Sequence, residues 1–228
     1  MILLKKNQHL ETLPFSELIR LLAARLRQPL PGIATQLKMS SNARYRELMN
    51  FRTPEHATPS SVLLLLYPEG GEVWIAFMQR PEYDGIHSGQ ISLPGGKAEP
   101  TDPDPAFTAL REAHEEIGID PEKVNLIGRL TDLYIPPSNF VVSPFVGYSE
   151  VRPDFSIDPA EVEKIVEVRL SDLASDENIR EQTFRIRGDV ELTAPAYVVG
   201  GEIIWGATAM MVAEFCEILK QLPDRFSR

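Results

Sequence analysis

The chain has 228 residues, of which 43% are hydrophobic and 25% are charged, as in an ordinary globular protein. Its formal net charge of -10 argues against general binding to nucleic acid or anionic membranes, because such binding needs a basic surface. A single cysteine excludes a disulfide within the chain and a multi-thiolate metal site, and it favours a reducing, cytoplasmic setting.

The first sixty or so residues are predicted to be helical and then irregular. Leucines at helical spacing predict a helix over Phe15–Arg27, and Leu30-Pro31-Gly32 ends it. Pro54 to Pro59 is predicted to be a linker. We expect this N-terminal helical extension, residues 1–58, to pack on the main domain, residues 59–228, or on a second subunit. The spare apolar helix also leads us to expect a homodimer.

Strand signals follow the linker. Ser61–Tyr67 and Val73–Met78 predict a hairpin around the turn Pro68-Glu69-Gly70-Gly71, and Gln90–Leu93 predicts a short strand. The longest apolar runs are too short to cross a membrane. Further strands are predicted at Val124–Leu133, Val141–Tyr148, Glu161–Leu170, Phe184–Ile186, Leu192–Val199 and Glu202–Ile204, with a short helix at 171–175 and a closing helix at Trp205–Leu222. Strands around one central and one late helix predict a mixed α/β sandwich.

The central helix, Ala106–Ile117, contains three closely spaced glutamates. At about 100° per residue, Glu112, Glu115 and Glu116 share one face, while small and apolar residues share nearly the opposite one. Asp102 or Asp104 is the expected N-cap. Like charges four residues apart cost a helix about 0.2–0.5 kcal/mol. Two interpretations follow: a solvated acidic face, or a site for a hard divalent cation such as Mg²⁺, which prefers oxygen ligands.

Two stretches of sequence together resemble the signature of the Nudix hydrolase family, G-x5-E-x7-R-E-U-x-E-E-x-G-U, where U is apolar. The second half is complete as R-E-A-H-E-E-I-G-I at Arg111–Ile119, and Leu93-Pro94-Gly95-Gly96-Lys97 lies upstream. The first half departs from the pattern, because the sixth residue after Gly96 is Asp102 and eight residues separate it from Arg111. The resemblance implies a mixed-sheet α/β/α sandwich that cleaves a diphosphate linked to another moiety.

The departure is similar to one branch of the family, the coenzyme A diphosphatases. Their upstream signature is matched at Arg80, Gly89, Ile91 and the P-G-G turn, whereas Gly85 stands in place of its second arginine. Two further stretches also look like that branch: S-N-F-V-V-S-P-F-V-G at 138–147 and I-W-G-A-T-A at 204–209. Trp205 and Trp74 themselves are predicted to be core residues rather than stacking platforms.

The resemblance also implies roles for individual residues. The expected ligands of Mg²⁺ or Mn²⁺ are the carbonyl of Gly96 and the carboxylates of Glu112, Glu115 and Glu116. Glu112 is the first candidate for the base that activates water, with Glu115 beside it. Glu161 is a second candidate, although a solvated acid at the start of a strand is the favoured explanation.

The remaining site candidates are basic residues and a glycine. Arg111 is expected to hold a carboxylate in place, with Asp102 or Glu115 as its partner. Arg80, Gly95 and Lys97 are the expected substrate contacts; a guanidinium can grip a phosphate with two hydrogen bonds, although Arg80 and Lys97 could equally face solvent.

Three functions are consistent with these residues. The first is hydrolysis of coenzyme A or acyl-CoA to 3′,5′-ADP and a phosphopantetheine. The second is the same reaction on another nucleoside diphosphate derivative, such as ADP-ribose or a dinucleotide. The third is a non-catalytic Nudix fold that senses a ligand, which the retention of all three glutamates argues against.

Overall fold

The computed structural model describes residues 13–41, 53–82, 89–186 and 190–223. Gly85 and much of the predicted N-terminal extension therefore lie outside the described residues. The helices are α1 (Phe15–Leu26), α2 (Ile33–Gln36), α3 (Pro105–Ile117), α4 (Leu170–Leu173) and α5 (Gly206–Lys220). The strands are β1 (Thr58–Glu69), β2 (Glu72–Gln79), β3 (Ile91–Ser92), β4 (Gly95–Lys97), β5 (Asn125–Arg129), β6 (Leu133–Ile135), β7 (Phe140–Tyr148), β8 (Lys164–Arg169), β9 (Ile179–Ile186), β10 (Val190–Val199) and β11 (Glu202–Ile204).

Eight of these strands form a mixed sheet with β1 near its centre. Along the main path the strand order is β3-β2-β1-β7-β5, with β4 paired to β1, β6 to β7 and β8 to β2. The β1–β7 pair is parallel and the other pairs in this sheet are antiparallel. A separate antiparallel sheet has the order β11-β10-β9.

The apolar run in β1 explains why this strand is central. Successive side chains point to opposite faces of a sheet, and here both faces are covered. Leu64 and Leu66 belong to a core that includes residues of α1 and α5. Leu63 and Leu65 belong to a second core that includes residues of α3. The structure is therefore the α/β/α sandwich that the sequence predicts.

Most predicted elements are confirmed, and four boundaries are corrected. The hairpin, the central helix and the closing helix are present. The predicted linker is shorter, because β1 already begins at Thr58 and pairs with β7 there. The predicted strand at Phe184–Ile186 begins earlier, at Ile179. The predicted strand at Glu161–Leu170 begins later, at Lys164.

The fourth correction is that Val124–Leu133 is not one strand. The segment is divided into β5 and β6, and residues 130–132 lie outside both strands, although the Leu130 N–H still donates to the Pro144 carbonyl in β7. The reason is a long-range contact: the backbone N–H of Thr131 donates to the Glu214 carboxylate in α5 at 3.0 Å. Strand periodicity carries no information about such a partner.

Glu214 is a fully buried carboxylate that accepts four hydrogen bonds. Its Oε1 accepts from the Gly32 N–H at 2.8 Å and from the Thr131 hydroxyl at 2.7 Å. Its Oε2 accepts from the Gln36 amide at 2.8 Å and from the Thr131 N–H. Because all four donors are neutral, they satisfy the carboxylate by hydrogen bonding alone. Glu214 thus joins the segment after α1 to the rest of the fold.

Helix α1 packs within the same chain. Its buried residues, Leu18, Ile19, Leu22 and Leu26, belong to the core shared with α5. Of the two expected packing partners, the main domain is therefore the one seen. In the part of the chain that the structure describes, no helix has the length and apolar character needed to cross a bilayer.

We expect Glu214→Gln to lower the free energy of unfolding by about 2–3 kcal/mol, because the new NH₂ group would face donors instead of accepting from them. Urea unfolding followed by circular dichroism would measure this change. Glu217→Gln, the same substitution in the same helix at a more exposed side chain, is the matched control and should change stability by less than about 0.5 kcal/mol. Equal stability of the two variants would contradict this account of Glu214.

Candidate active site

Helix α3 has both of its predicted ends. Of the two candidate N-caps it is Asp104 that accepts from the Phe107 N–H, at 2.8 Å, and Gly118 ends the helix in the left-handed conformation at φ 71°. The loop between β7 and β8 closes the carbonyl end, since Ser156 N–H donates to the Ile117 carbonyl at 3.0 Å and Asp158 N–H to the Glu116 carbonyl at 3.1 Å. These bonds hold the loop that leads to Glu161 against the helix.

Gly95 and Gly96, which begin β4 and are called the glycine loop below, lie directly against the face of α3 that carries Glu112, Glu115 and Glu116, its acidic face. A Cβ at Gly95, where φ is 145°, would overlap the backbone of Ser61 and Val62 in β1. A Cβ at Gly96 would overlap the Glu112 carboxylate. Glycine at both positions is therefore what permits this close approach of backbone and carboxylate.

Arg111 joins the helix to the loop before it. Its guanidinium donates to both oxygens of Asp102, each at 3.0 Å, and to the Lys97 carbonyl at 3.0 Å. The Thr108 hydroxyl also donates to Asp102, at 2.8 Å. These bonds, with that from Arg111 the strongest, hold the pKa of Asp102 well below its usual range. Asp102 is thus a partner of Arg111 despite the altered loop length.

The same guanidinium contacts two of the three glutamates. Nη1 of Arg111 lies 2.9 Å from Glu112 Oε1 and 2.8 Å from Glu115 Oε2. The Glu115 side chain is 55% exposed, whereas that of Glu112 is 15% exposed. Burial raises the pKa of Glu112, and Arg111 opposes this shift. Both predicted partners of Arg111 are therefore observed, and Glu115 is the most solvated of the three acids.

Glu116 is the buried member of the acidic face, with 2% of its surface exposed. One oxygen accepts from the Gly95 N–H at 2.7 Å, and the other lies 3.5 Å from Nη2 of Arg80. Burial raises the pKa of Glu116 to about 8, while the Gly95 N–H and Arg80 oppose the shift. One N–H and one distant guanidinium are therefore too little to keep this carboxyl charged at neutral pH.

Glu161 lies in an exposed turn, where its N–H donates to the Asp158 carbonyl at 3.0 Å. It precedes β8 rather than starting it. Its negative charge contributes, after burial and other causes, to the raised pKa values of Glu112 and Glu116. The structure thus brings Glu161 within electrostatic range of the acidic face.

The donors at this face suit a hard cation. Across residues 13–41, 53–82, 89–186 and 190–223, no three acidic, histidine or cysteine side chains are gathered closely enough to hold a metal by themselves. Mg²⁺ is usually held by one or two carboxylates together with substrate phosphates and water, so a complete protein cage is not required. Glu112 and Glu116, beside the backbone of Gly96, fit this arrangement, and a bound cation would favour the ionised form of Glu116.

A cleft of about 310 Å³ opens beside the glycine loop. Its lining includes Arg80, Gly95 and Gly96, while the side chain of Lys97 is exposed. Ser92 Oγ, also in the lining, is buried and has no hydrogen-bond partner among the described residues. The cleft is therefore bordered by the residues that contact Glu112 and Glu116, namely Gly96, Gly95 and Arg80.

One wall of the cleft contains residues that sequence reasoning did not assign to the site. It is formed by the β6–β7 hairpin and the start of α5, with Ile135, Ser138, Phe140, Val142, Trp205, Ala207, Thr208 and Met211 in the lining. The prediction that Trp205 is a core residue is wrong, because its side chain is half-buried and borders the cleft. The resemblance of residues 138–147 and 204–209 to the coenzyme A diphosphatase branch could have pointed to this wall. The sequence separation of the two stretches does not predict that they line the same cleft.

The amino-acid sequence is similar to those of known proteins. The chain is 34% identical over 173 residues to "Nudix hydrolase 22, chloroplastic" of Arabidopsis thaliana, covering 73% of this chain and 57% of that protein. It is 34% identical over 133 residues to "Mitochondrial coenzyme A diphosphatase NUDT8" of Homo sapiens, covering 58% of this chain and 56% of that protein. The chain thus spans little more than half the length of these relatives.

A solved structure and a family profile complete the comparison. The crystal structure of a Nudix hydrolase from M. smegmatis, RenU, has a TM-score of 0.49 and 16% sequence identity, and covers 73% of this chain and 88% of its own. The NUDIX domain profile matches residues 57–186, more than half of the chain, and includes all of the acidic helix and the glycine loop. The chain therefore belongs to the Nudix hydrolase family.

Proposed function

We propose that the chain is a metal-dependent diphosphatase that converts coenzyme A or acyl-CoA to 3′,5′-ADP and a phosphopantetheine. The observation that carries the proposal is the buried carboxylate of Glu116, held by the Gly95 N–H and beside Arg80, two residues that line the cleft. A site of this kind can accept both a cation and the anionic diphosphate that the cation would neutralise.

Nudix hydrolases generally use divalent metal ions. In this chain the proposed ligands of Mg²⁺ or Mn²⁺ are Glu112, Glu115, Glu116 and the Gly96 carbonyl. When bound, the ion would withdraw charge from the diphosphate and make water a better nucleophile. Because Glu115 is exposed and paired with Arg111, we assign it the most peripheral place in this set.

Glu112 is the proposed base that takes a proton from the attacking water. Its raised pKa favours proton acceptance, and its side chain is 15% exposed, so water can reach the carboxylate. Glu161 is the second candidate, supported by its place in a turn near the acidic face. Arg111 positions Glu112 through the contact at 2.9 Å, and its bonds to Asp102 restrict its own movement.

The proposed phosphate contacts come from the loop side of the cleft. Arg80 lines the cleft with 29% of its side chain exposed, so its guanidinium can reach a ligand. Gly95 allows the backbone to approach the phosphates closely. Lys97 is exposed at the end of β4, from which its flexible side chain would reach the outer phosphate oxygens.

Coenzyme A is favoured as the substrate by the resemblance to that branch and by the similarity to proteins named as coenzyme A diphosphatases. We propose a cytoplasmic setting because the chain has a single cysteine. Two relatives are named as chloroplastic and mitochondrial proteins. The homodimer stays a prediction, and burial of α1 within one chain removes the spare apolar face on which it was based.

The deciding experiment is chromatography of the products formed by the purified protein from coenzyme A at millimolar Mg²⁺. ADP-ribose and a dinucleotide are tested in parallel. Formation of 3′,5′-ADP from coenzyme A supports the proposal. Cleavage of ADP-ribose alone would keep the reaction and overturn the substrate, and binding without cleavage of any of the three would favour a ligand sensor.

We expect Glu116→Gln and Glu112→Gln each to lower kcat/KM on the order of 10²–10⁴-fold, because each removes a metal or proton contact at the reacting phosphate. Glu115→Gln should cause a smaller loss, since its carboxylate is exposed and bound to Arg111. Steady-state kinetics at saturating Mg²⁺ would measure these changes. Glu122→Gln, at an exposed glutamate just beyond α3, is the control and should be unaffected. Comparable losses in all four variants would contradict the assignment.

The stability of the metal-free protein should depend on Glu116. Its pKa rises from 4.5 to about 8 on folding, so the folded state holds an extra proton between these values and stability falls as pH rises through this window. In EDTA, Glu116→Gln should therefore flatten the decline and be more stable than the wild type above pH ~8, on the order of 2–4 kcal/mol. Urea unfolding across this pH range would measure the effect. Glu115→Gln should keep the wild-type slope, and a flattened slope there would contradict the assignment to Glu116.

A further inference from the structure

The wall of the cleft formed by the β6–β7 hairpin and the start of α5 has no role in the proposed function. Trp205 borders this wall together with Phe140 and Met211. Two hydroxyl-bearing residues, Ser138 and Thr208, complete it. Among the described residues that line the cleft, Arg80 carries the only charge, and it lies on the side of the glycine loop and Glu116. The wall around Trp205 is thus apolar with a few hydrogen-bonding groups.

The indole of Trp205 is held in a fixed orientation. Its ring stacks on Phe184 of β9 with a centroid distance of 3.9 Å and an interplanar angle of 9°. Its backbone is fixed on both sides, because Ile204 pairs with Tyr197 in β10 and α5 begins at Gly206. Trp205 is part of the cleft lining and Phe184 is not, so the stack with Phe184 leaves Trp205 at the border of the cleft.

We propose that Trp205 recognises the nucleobase of the substrate by stacking on it from this wall of the cleft. The inference rests on the proposed function, since it requires a substrate that carries both a diphosphate and a base. A rigid aromatic ring is suited to a flat aromatic partner, and base–aromatic stacking is strong without requiring a particular base. With Arg80 and the glycine loop elsewhere in the lining, the cleft would hold the phosphates beside these residues and the base beside Trp205.

The pantetheine arm is the competing occupant of the same wall. It is flexible and lacks an aromatic ring, so it would gain less from an immobilised indole and would lose more conformational freedom on binding. The hydroxyls of Ser138 and Thr208 suit the hydrogen-bonding edge of a base. These features favour the base, and the experiment must separate the two moieties.

The chain offers a direct probe, because it has two tryptophans, Trp74 and Trp205. Trp74 borders a different groove, where its indole N–H donates to the Glu69 carbonyl at 3.1 Å. Trp74→Phe therefore leaves Trp205 as the single fluorophore without touching the proposed site. This variant should keep the wild-type kcat/KM.

The titration uses three phosphate monoesters in the presence of EDTA: AMP, ribose 5-phosphate and 4′-phosphopantetheine. We expect AMP to quench Trp205 fluorescence saturably and the other two to leave it unchanged. Quenching by 4′-phosphopantetheine but not by AMP, or by none of the three, would overturn the proposal. Quenching by ribose 5-phosphate equal to that by AMP would also overturn it, because the effect would then come from the phosphate.

Kinetics provide a second test. Trp205→Leu should raise KM roughly 5–150-fold with kcat little changed, and Trp205→Phe should recover most of the loss, because it restores an aromatic surface. A fall in kcat at unchanged KM, or no effect of either variant, would contradict base recognition. If Trp205→Leu does not fold, Trp205→Phe and the titration still decide the matter. Because the titration needs neither metal nor turnover, failure of coenzyme A as a substrate would leave its outcome intact.

Discussion

The close approach of the Gly95–Gly96 loop to the acidic face of α3 is the constraint on which the site depends. It places a backbone N–H on a carboxylate that is otherwise buried, and it brings Glu112 against the loop backbone. Any side chain at Gly96 would separate the loop from the helix. The raised pKa of Glu116 follows from this closeness, because the loop that supplies one hydrogen bond also excludes the water that would supply others.

Local signals in the sequence predict the frame of this site well. The apolar run of β1, the ends of α3 and the shared face of its glutamates all follow from short-range periodicity and capping. The partners of Arg111 were also within reach, because they are nine residues upstream and four residues downstream in sequence. Local pattern and tertiary structure agree wherever the chemistry lies within one loop and one helix.

The features that sequence reasoning missed depend on contacts between distant parts of the chain. Thr131 leaves the sheet because of a carboxylate 83 residues away. Trp205 is positioned by Phe184 in β9, a strand of the same three-stranded sheet as β11, which ends just before Trp205. In both cases the residue type fits its predicted environment, a strand or a core, and only the packing partner decides otherwise. The cleft was missed for the same reason, since its lining residues come from separate regions of the sequence.

The four hydrogen bonds of Glu214 have a consequence for how the chain can be divided. Two of the donors, Gly32 and Gln36, precede β1, while the acceptor lies in the helix whose first turn borders the cleft. A shortened chain that starts at β1 would leave a buried carboxylate with half of its donors missing, and water would have to enter the core to replace them. The segment before β1 therefore stabilises the helix that borders the cleft, and removing it would destabilise the cleft wall.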